Sequence, residues 1–412
     1  MNSKKSNLLN NSNNEFDTLK NLKPFVLVTS GGRSGTDFLQ SLLDTHKQVL
    51  SFNGHLKLYI EFFTNSKCIK SGSFNLIDIA HEFVGLYIER FNSKYDYLER
   101  KDQLGKDESE SLKIDAQLFI KNFVFLLKDQ EKNYKNILLG IHGAYHICIG
   151  KNFDSLEILF YHAHHFDEVH KFVKDFPSAT IICTTRDPRA GFVSTIENWK
   201  KYDNSNKSLI NFDHDSYLFF YFHLNRIIED EGRLVYSDKK HIIVKLEDLP
   251  NVDYMQSLSN LLFIDYNESM LLPTFGGKIW YGDRISGSKI YKVNWSKDRT
   301  YNGWKEKLPW REKFLINHAM YSKLKRNNYE NFPFKTLSII PLLFLSIIPF
   351  KYERRYISIK YIKSLYKFNR LRAIYYIAIT PLIFMKVRIL ILKYIIIQFL
   401  NDKNIKNSYF LP

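Results

Sequence analysis

Two segments of the sequence combine arginine, glycine and hydroxyl residues in patterns that suit phosphate binding. The first, VTSGGRSGTDFL at residues 28–39, lies between an apolar run rich in β-branched residues and the start of a helical pattern. Glycines let a backbone turn tightly and approach a phosphate, while hydroxyl groups, an arginine and the amides of a helix N-terminus hold its oxygens. The residues that could form this phosphate-binding loop are Gly32, Arg33, Ser34, Gly35, Thr36 and Asp37.

Two widespread phosphate loops do not fit the first segment. A Walker A loop, GxxxxGK[ST], needs a lysine after its last glycine, whereas Thr36 and Asp37 follow Gly35 here, and the dinucleotide pattern GxGxxG is also absent. An ATPase or an ordinary kinase would therefore lack the lysine that bridges the phosphates. For this segment alone, a glycine-rich connection whose hydroxyl groups merely cap a helix remains an alternative.

The second segment, TTRDPRAGFVS at residues 184–194, follows the apolar run ATIICTT, which has the composition of a buried parallel strand. Arg186 ends that strand, and Ser194 lies eight residues later, about two turns into the following helix. Both side chains can therefore face the crevice at the carboxyl end of the sheet, where the pair could hold a second phosphate.

Together the two segments resemble the motifs of sulfotransferases that use 3′-phosphoadenosine 5′-phosphosulfate (PAPS). In that family a first-strand loop of the form [KR]-[ST]-G-[ST] grips the 5′-phosphosulfate, and residues 33–36 match it. A later strand ends in R-[DN]-P-[RK] with a serine eight residues after the arginine, so the resemblance implies that Arg186 and Ser194 bind the 3′-phosphate. It further implies that Arg33 and the loop amides stabilise the leaving 5′-phosphate and that no metal is required.

The resemblance covers about residues 24–330 and is nearest to the carbohydrate and bacterial branch of the family, because the first loop carries an arginine and the second contains RDPRA. Residues 274–284 (TFGGKIWYGDR) and 302–304 (NGW) look like the family's C-terminal segment that closes over the nucleotide. On that basis Arg284 is expected to reach the 3′-phosphate, and the alternative is an arginine on a surface loop.

A hydroxyl acceptor must lose its proton during sulfuryl transfer, so the site also needs a general base. The segment YHAHHF, residues 161–166, ends the strand before ATIICTT, and the family resemblance places a histidine base at that strand end. His164 fits the family spacing best, and His162 shares its face if the strand continues. Glu61, with His55 nearby, is a carboxylate alternative after the first helix. Two further interpretations are a solvated strand end without a role and a metal site on the HxH pair, for which no third ligand is evident nearby.

Strand and helix patterns alternate along the chain, which predicts an α/β fold with a P-loop-like, doubly wound parallel sheet flanked by helices. Expected strands lie at residues 24–29, 137–141, 156–161, 179–185 and 241–245, and expected helices at 37–46, 166–176, 190–202 and 218–231.

The basic charge of the chain lies mostly in its C-terminal part. The 412 residues carry a net charge of +16, but residues 335–412 hold 14 Lys and Arg against two acidic residues, a net of +12. The same part is apolar and aromatic, and this combination suits an anionic membrane surface better than nucleic acid.

The long apolar stretch at residues 373–400 is interrupted by Lys386, Arg388 and Lys393. Each charge costs about 2.5–3.5 kcal/mol at a bilayer centre, which favours a segment that lies on a membrane surface over one that spans it. The alternative is a helical extension that packs on the catalytic domain or on a second subunit.

The chain is expected to have three parts: a disordered leader at residues 1–23, a catalytic domain at 24–333 and a basic, apolar, helical extension at 334–412. The leader lacks the apolar run of a secretory signal and the three cysteines form no CxxC pair, which indicates a cytoplasmic location, peripheral on the cytoplasmic face of a membrane. The predicted function is transfer of a sulfuryl group from PAPS to a hydroxyl of a carbohydrate or glycolipid. A P-loop-like nucleotide-dependent kinase or transferase and a non-catalytic membrane-associated module are the alternatives, and the oligomeric state is left open.

Overall fold

A parallel sheet forms the centre of the computed structural model, which describes residues 15–29, 34–95, 99–205, 241–249, 251–283, 303–329, 339–351 and 353–401. The strands of this sheet are β1 (Lys23–Thr29), β2 (Val49–Ser51), β3 (Ile158–His162), β4 (Thr180–Thr185) and β5 (His241–Lys245). Their order is β2-β3-β1-β4-β5, and every neighbouring pair is parallel. A separate antiparallel hairpin consists of β6 (Thr274–Phe275) and β7 (Lys278–Ile279).

Helices surround the sheet and form the C-terminal part of the described chain. In chain order they are α1 (residues 15–21), α2 (Thr36–Leu43), α3 (Phe63–Asn65), α4 (Lys67–Lys70), α5 (Leu76–Leu86), α6 (Ile88–Phe91), α7 (Ala116–Leu127), α8 (Tyr134–Cys148), α9 (Phe166–Asp175), α10 (Pro188–Ser205), α11 (Val252–Leu262), α12 (Trp310–Ala319), α13 (Tyr321–Arg326), α14 (Ile339–Ile347), α15 (Glu353–Tyr356), α16 (Ile359–Phe368) and α17 (Arg370–Asn401). A π-helical turn, Leu58–Phe62, precedes α3, and short 3₁₀ turns lie at Ser93–Tyr95, Leu246–Asp248 and Glu268–Leu271.

Both faces of the sheet are covered, as a parallel sheet requires. In β1 every residue after Lys23 is buried. Val26 and Val28 point into a core shared with α7, α8 and α9, whereas Phe25 and Leu27 point into a second core shared with α2 and α11. This arrangement confirms the predicted α/β fold, and it brings the carboxyl ends of β1, β3 and β4 to one edge of the sheet.

One predicted strand is wrong, and one strand has no counterpart in the sequence pattern. Residues 137–141 lie inside α8, whose N-cap Asn133 and 15-residue length show that the short apolar run belongs to a longer helix. A Cβ on Gly140 would lie 2.7 Å from a methyl carbon of Leu127, so this run is where α8 packs closely against α7. β2 has only three residues, too few for a recognisable strand pattern. The helix expected at residues 218–231 lies outside the described residues.

The expectation of a disordered leader is wrong for residues 15–23. Residues 15–21 are helical, and Phe16 and Leu19 are fully buried in the core beside α8. Phe16, Leu19 and Leu22 follow one another at a spacing of three, which places them on one side of a short helix. Residues 1–14 lie outside the described part of the chain.

The C-terminal helices pack on the sheet-containing part through one of their sides. Their apolar core joins Phe192 of α10 and Leu315 of α12 to Tyr376 and Val387 of α17. A buried ion pair links Glu353 of α15 to Arg388 of α17. The carboxylate of Glu353 also accepts a hydrogen bond from the amide of Phe350 at 2.7 Å. One side of these helices therefore packs on the sheet-containing part, as the alternative interpretation of the extension expects. Their other side is exposed.

Candidate functional site

The first phosphate-binding segment is tied to the ends of two strands by a buried hydroxyl. The Ser34 Oγ lies 2.6 Å from the Thr29 Oγ1 at the end of β1 and 2.9 Å from the Thr184 Oγ1 near the end of β4. Thr29 and Thr184 are also register partners in the sheet. The Ser34 hydroxyl therefore fixes the loop and joins the two motifs. Gly32, Arg33 and Arg284 lie outside the described residues.

The helix that follows this loop begins without a side-chain cap. Gly35 is its N-cap residue, with φ +88° and ψ 27°, and among the described residues no side chain accepts a hydrogen bond from the first amides of α2. The alternative in which Ser34 or Thr36 caps the helix is therefore wrong. Uncapped amides at a helix N-terminus carry partial positive charge and suit an anion, so the amides of Thr36 and Asp37 fit the predicted phosphate role.

The second motif is held by a buried carboxylate at the end of β4. Arg186 follows β4 directly, and the amide of Asp187 donates to the Glu247 Oε1 at 2.8 Å. The hydroxyl of Tyr329 donates to the Glu247 Oε2 at 3.0 Å. Burial raises the pKa of Glu247, although the Asp187 amide and the charge of Arg186 oppose this rise. These bonds fix the strand end that presents Arg186.

Arg189, the second arginine of this motif, is engaged within the protein. It forms an ion pair with Asp187 at 2.7 Å, and its guanidinium lies over the ring of Trp304 with 4.1 Å to the centroid. Trp304 is only 3% exposed. The Trp304 ring packs under Arg189 of the second motif. That this segment closes over a nucleotide stays a prediction, because residues 284–302 lie outside the described part of the chain. Ser194 lies half-buried in α10 as predicted.

The segment at residues 274–283 packs against the end of α2 and against residues 99–105. The amide of Gly277 donates to the Asp44 Oδ2 at 2.8 Å, and the Trp280 Nε1 donates to the carbonyl of Glu99 at 2.7 Å. The hydroxyl of Tyr281 donates to the carbonyl of Gly105 at 3.0 Å. The described part of this segment thus forms a wall beside α2.

Histidines from two parts of the chain meet Asp37 at the edge of the sheet. His162 is the last residue of β3 and pairs with Leu27 of β1. The His164 ring stacks on the His55 ring with 4.1 Å between centroids, and the His162 and His164 rings are 4.7 Å apart. Carboxylate oxygens of Asp37 lie 4.0 Å from the His162 Nδ1 and 4.0 Å from the His164 Nε2.

Asp37, His162 and His164 could also hold a metal ion, because one ligand atom from each lies within 4.8 Å of the others. Two imidazoles and a carboxylate form a donor set that divalent transition metals accept. The sequence shows no third ligand near the HxH pair. In the fold, Asp37 becomes the candidate third ligand, because the pairing of β1 with β3 brings it beside the histidines.

The charges of the histidine cluster are set by burial. The pKa of Asp37 is raised to about 6, mainly by burial. The charge of Glu99 also contributes to this rise, whereas Lys101 and Arg90 oppose it. Burial, followed by the neighbouring His164, holds the pKa of His162 well below its usual value of 6.5. His162 is therefore neutral at pH 7, with an imidazole lone pair that can accept a proton.

Glu168, a carboxyl group that was not predicted from the sequence, lies next to the histidine cluster. Glu168 of α9 is fully buried, and its Oε1 accepts a hydrogen bond from the Tyr161 hydroxyl at 2.5 Å. Its Oε2 lies 2.8 Å from the His55 Nε2, which also accepts the His164 amide at 3.3 Å. Glu168 and His55 therefore share one hydrogen bond, and the protonation states of the two groups decide which of them donates. Burial raises the pKa of Glu168 to about 7, against the effect of the Tyr161 hydrogen bond.

Glu61 is not brought into this cluster. It lies in the π-helical turn, and its carboxylate forms an exposed ion pair with Lys57 at 3.6 Å. No hydrogen bond or ion pair within the described ranges joins it to the histidines. The sequence signal for Glu168 is its position in the first turn of the helix that follows YHAHHF.

A small, open cleft lies beside Asp37. It is lined by Asp37, Gln40, Ser41, Asp44, Asn53, Gly54, Glu99, Lys101, Thr274, Phe275 and Trp280. Glu99 forms ion pairs with Lys101 and, at 3.3 Å, with Arg90. Burial favours the neutral form of Glu99, but the two cations hold its pKa well below the usual range. The cleft therefore offers carboxylate, amide and hydroxyl groups next to the histidine cluster.

The first loop, the strand end at Arg186 and the adjacent histidines define a transferase-like site at the edge of a parallel sheet. Residues 24–251, more than half of the chain, match the model of the sulfotransferase family. The chain belongs to the sulfotransferase family.

The sulfotransferase domain from the Synechococcus PCC 7002 olefin synthase is 15% identical, with coverage of 69% of this chain and 88% of that domain, and the TM-score is 0.34. No curated protein shows a matching sequence.

Proposed function

We propose that the chain transfers the sulfuryl group of PAPS to a hydroxyl of a carbohydrate or glycolipid. The observation that carries the donor part is the Ser34–Thr184 hydrogen bond, which holds the uncapped start of α2 beside the strand end that presents Arg186. Two anion-binding elements at one sheet edge suit a donor with two separated phosphate groups. A single-phosphate donor would leave the second motif without a role.

The reaction breaks the bond between sulfur and the bridging oxygen of the donor and forms a bond from sulfur to the acceptor oxygen. Arg33 and the amides of Gly35, Thr36 and Asp37 would stabilise the negative charge that develops on the leaving 5′-phosphate. Arg186, Ser194 and Arg284 would hold the 3′-phosphate. With the leaving charge met by an arginine and by amides, the proposed transfer needs no metal.

The acceptor's proton must go to a base at the same sheet edge. Of the three predicted bases, His162 and His164 lie beside Asp37 at the first turn of α2, whereas Glu61 pairs with Lys57. The neutral imidazole of His162 supports its assignment as the base. We therefore place the base at His162.

A carbohydrate acceptor would enter the cleft beside Asp37, next to the histidines. Asp37, Ser41 and Asp44 supply carboxylate and hydroxyl groups in its lining, and sugar hydroxyls can donate to such groups.

Binding of adenosine 3′,5′-bisphosphate, the product of PAPS, tests the donor part. Calorimetry without magnesium should show micromolar binding by the wild type. Arg186→Ala should abolish it, because the 3′-phosphate loses its charged partner, whereas Arg354→Ala, on an exposed arginine of α15, should leave it unchanged. Absence of binding by the wild type would overturn the proposal, and magnesium-dependent ATP binding in its place would favour the kinase alternative.

We also propose that the extension rests on an anionic membrane surface, which would place the protein peripherally on the cytoplasmic face of a membrane. Its exposed side carries many large apolar residues, which are Ile340, Leu343, Phe344, Ile347, Ile359, Leu371, Ile374, Leu382, Met385, Ile389 and Ile396. We call this set the C-terminal apolar surface. Exposed basic residues accompany it: Lys360, Lys363, Lys367, Arg370, Lys386 and Lys393. Apolar area with adjacent basic charge fits anionic lipid.

A peripheral position agrees with the burial of Arg388. Within the described residues one stretch, Ala373–Lys393, is long and apolar enough to cross a membrane by length and composition, and 39% of it is buried inside the protein. Arg388 in this stretch is buried against Glu353 rather than directed outward. Insertion of α17 across a bilayer would have to break that ion pair, which favours a surface position.

A further inference from the structure

We propose that Gln40 is a positioning residue for the transfer reaction: its side-chain amide fixes His162 in the tautomer that carries a proton on Nδ1 and leaves Nε2 to accept the acceptor's proton. This inference rests on the proposed sulfuryl transfer, and it names the reacting atom of the base and the residue that selects it. Gln40 is a buried residue of α2, one turn after Thr36.

The orientation of the Gln40 amide follows from its two partners. The Gln40 Nε2 donates to the carbonyl of Phe52 at 2.5 Å. A carbonyl can only accept, so the NH₂ group must be the end that faces Phe52. The opposite end, Oε1, then lies 2.7 Å from the His162 Nδ1. An amide oxygen can only accept, and therefore the proton between them belongs to Nδ1.

The second ring nitrogen of His162 is consequently the basic one. A neutral imidazole has one N–H, so with the proton on Nδ1 the lone pair lies on Nε2. His162 is 3% exposed, and among the described residues its Nε2 has no hydrogen-bond partner. A buried acceptor without a partner is costly for a purely structural side chain, but a substrate hydroxyl would donate to it.

Titratable and charged groups surround His162. His164 and His55 lie beside the ring, Asp37 lies 4.0 Å from Nδ1, and Glu99 and Lys101 line the neighbouring cleft, where Arg90 pairs with Glu99. The tautomer of His162 follows from Gln40, whose Oε1 lies within hydrogen-bond distance of Nδ1.

An amide partner differs from a carboxylate in the effect that it has on the base. A carboxylate at position 40 would attract the proton on Nδ1 and stabilise imidazolium, and it could not donate to Phe52. The amide fixes the tautomer without adding a negative charge, so Nε2 can accept a proton and the ring can later release it.

Variants of Gln40 give a direct test. Gln40→Met removes the acceptor for Nδ1, so kcat should fall about 10-fold or more while the affinity for adenosine 3′,5′-bisphosphate stays the same. Gln40→Glu should move the acidic limb of the kcat profile about one pH unit higher, because the carboxylate favours imidazolium. Gln117→Met, on an exposed residue of α7, is the matched control and should change neither quantity. In a His162→Ala background, Gln40→Met should have no further effect on kcat.

The tautomer can also be observed without any activity. Nitrogen-15 NMR of histidine-labelled protein, with the His162 signals assigned by their loss in His162→Ala, should show a protonated Nδ1 and an unprotonated Nε2 in the wild type and a mixture in Gln40→Met. A wild type with its proton on Nε2, or an unchanged kcat in correctly folded Gln40→Met, would overturn the inference. Failure of adenosine 3′,5′-bisphosphate to bind the wild type would instead overturn the proposed function, and the NMR result would still decide the tautomer.

Discussion

The buried carboxyl group of Glu168 shows how much chemistry a single residue acquires from its surroundings. In the sequence it is one of two acidic residues in the first turn of α9. In the folded chain it shares a hydrogen bond with His55, accepts one from Tyr161, and so supports the ring on which His164 stacks. Gln40 contacts His162 in a comparable way, with 2.7 Å between its Oε1 and the His162 Nδ1. Two polar residues outside both phosphate motifs thus hold the orientation of the histidines.

Glu168 should make the stability of the protein fall as pH rises towards neutrality. Its pKa is raised from 4.5 to about 7, so between these values the folded state binds a proton that the unfolded state releases. The stabilising contribution is complete below about pH 4.5 and is lost as pH rises through 7. Glu168→Gln keeps a hydrogen-bonding group next to His55 and removes this dependence, on the order of 3 kcal/mol between pH 4 and 8.

Urea denaturation at several pH values, comparing Glu168→Gln with the wild type, measures this difference. Buried histidines with lowered pKa values, such as His142 and His146, act in the opposite direction, so the comparison must be between variants. Glu157→Gln, on an exposed residue, should keep the pH dependence of the wild type. The assignment fails if Glu168→Gln shows that dependence too.

At the scale of elements, the start of α2 is the point where loop, sheet and site meet. β1 leads into the loop, Ser34 links the loop to β4, and Gly35 turns the chain into α2. Asp37 and Gln40, one turn apart on this helix, then both reach His162. In the proposed reaction α2 would supply amides for the donor and side chains that contact the base, so its position would affect both halves of that reaction.

Gly35→Ala should weaken donor binding strongly. The left-handed backbone at φ +88° costs a non-glycine residue about 1–2 kcal/mol, and a Cβ would lie 2.4 Å from the Leu246 Cδ1. Gly72→Ala is the matched control, because Gly72 has φ +72° with no atom within 4 Å. Thermal unfolding should show a comparable backbone cost in both variants. Calorimetry should show loss of adenosine 3′,5′-bisphosphate affinity in Gly35→Ala alone, and equal affinities in both would refute the steric role of Leu246.

At the scale of the whole molecule, the C-terminal extension has two different sides. One side completes a core with α10 and α12, and the Glu353–Arg388 ion pair fastens it. The other side is the C-terminal apolar surface with its lysines. If a membrane covers that surface, the catalytic part is held near the lipid, which suits an acceptor that is itself anchored there.

Vesicle flotation tests the C-terminal apolar surface. The wild type should float with vesicles that contain anionic lipid and should float less with neutral ones. Leu371 and Phe344 are 81% and 69% exposed, so Leu371→Glu combined with Phe344→Glu should reduce flotation without unfolding the protein. Ile77→Glu, at a 51% exposed position of α5, should not change it. A wild type that stays wholly away from anionic vesicles would exclude the membrane proposal.

Much of the fold and part of the site could be predicted from the sequence because the relevant signals are local. The strand, loop and helix around residues 24–43 and the eight-residue interval from Arg186 to Ser194 are short-range patterns, and together they identify the family. The two wrong predictions, a strand at residues 137–141 and disorder at residues 15–23, have local causes as well. Residues 137–141 form too short an apolar run to distinguish strand from helix, and the spacing of Phe16, Leu19 and Leu22 is masked by the polar residues around it.

By itself, the sequence determined the α/β alternation, the two arginine- and glycine-containing motifs, the family and the basic, apolar character of the extension, since each depends on residue type and near neighbours. Only the tertiary structure decided which side chains share the site. Gln40 meets His162 across 122 residues, and His55 meets Glu168 across 113. It also decided that Glu61 pairs with Lys57 away from the histidines, that Trp304 packs against Arg189, and which side of the extension stays exposed. Such pairings depend on how strands β1 and β3 adjoin and on which surfaces are buried, and no local pattern in the chain specifies them.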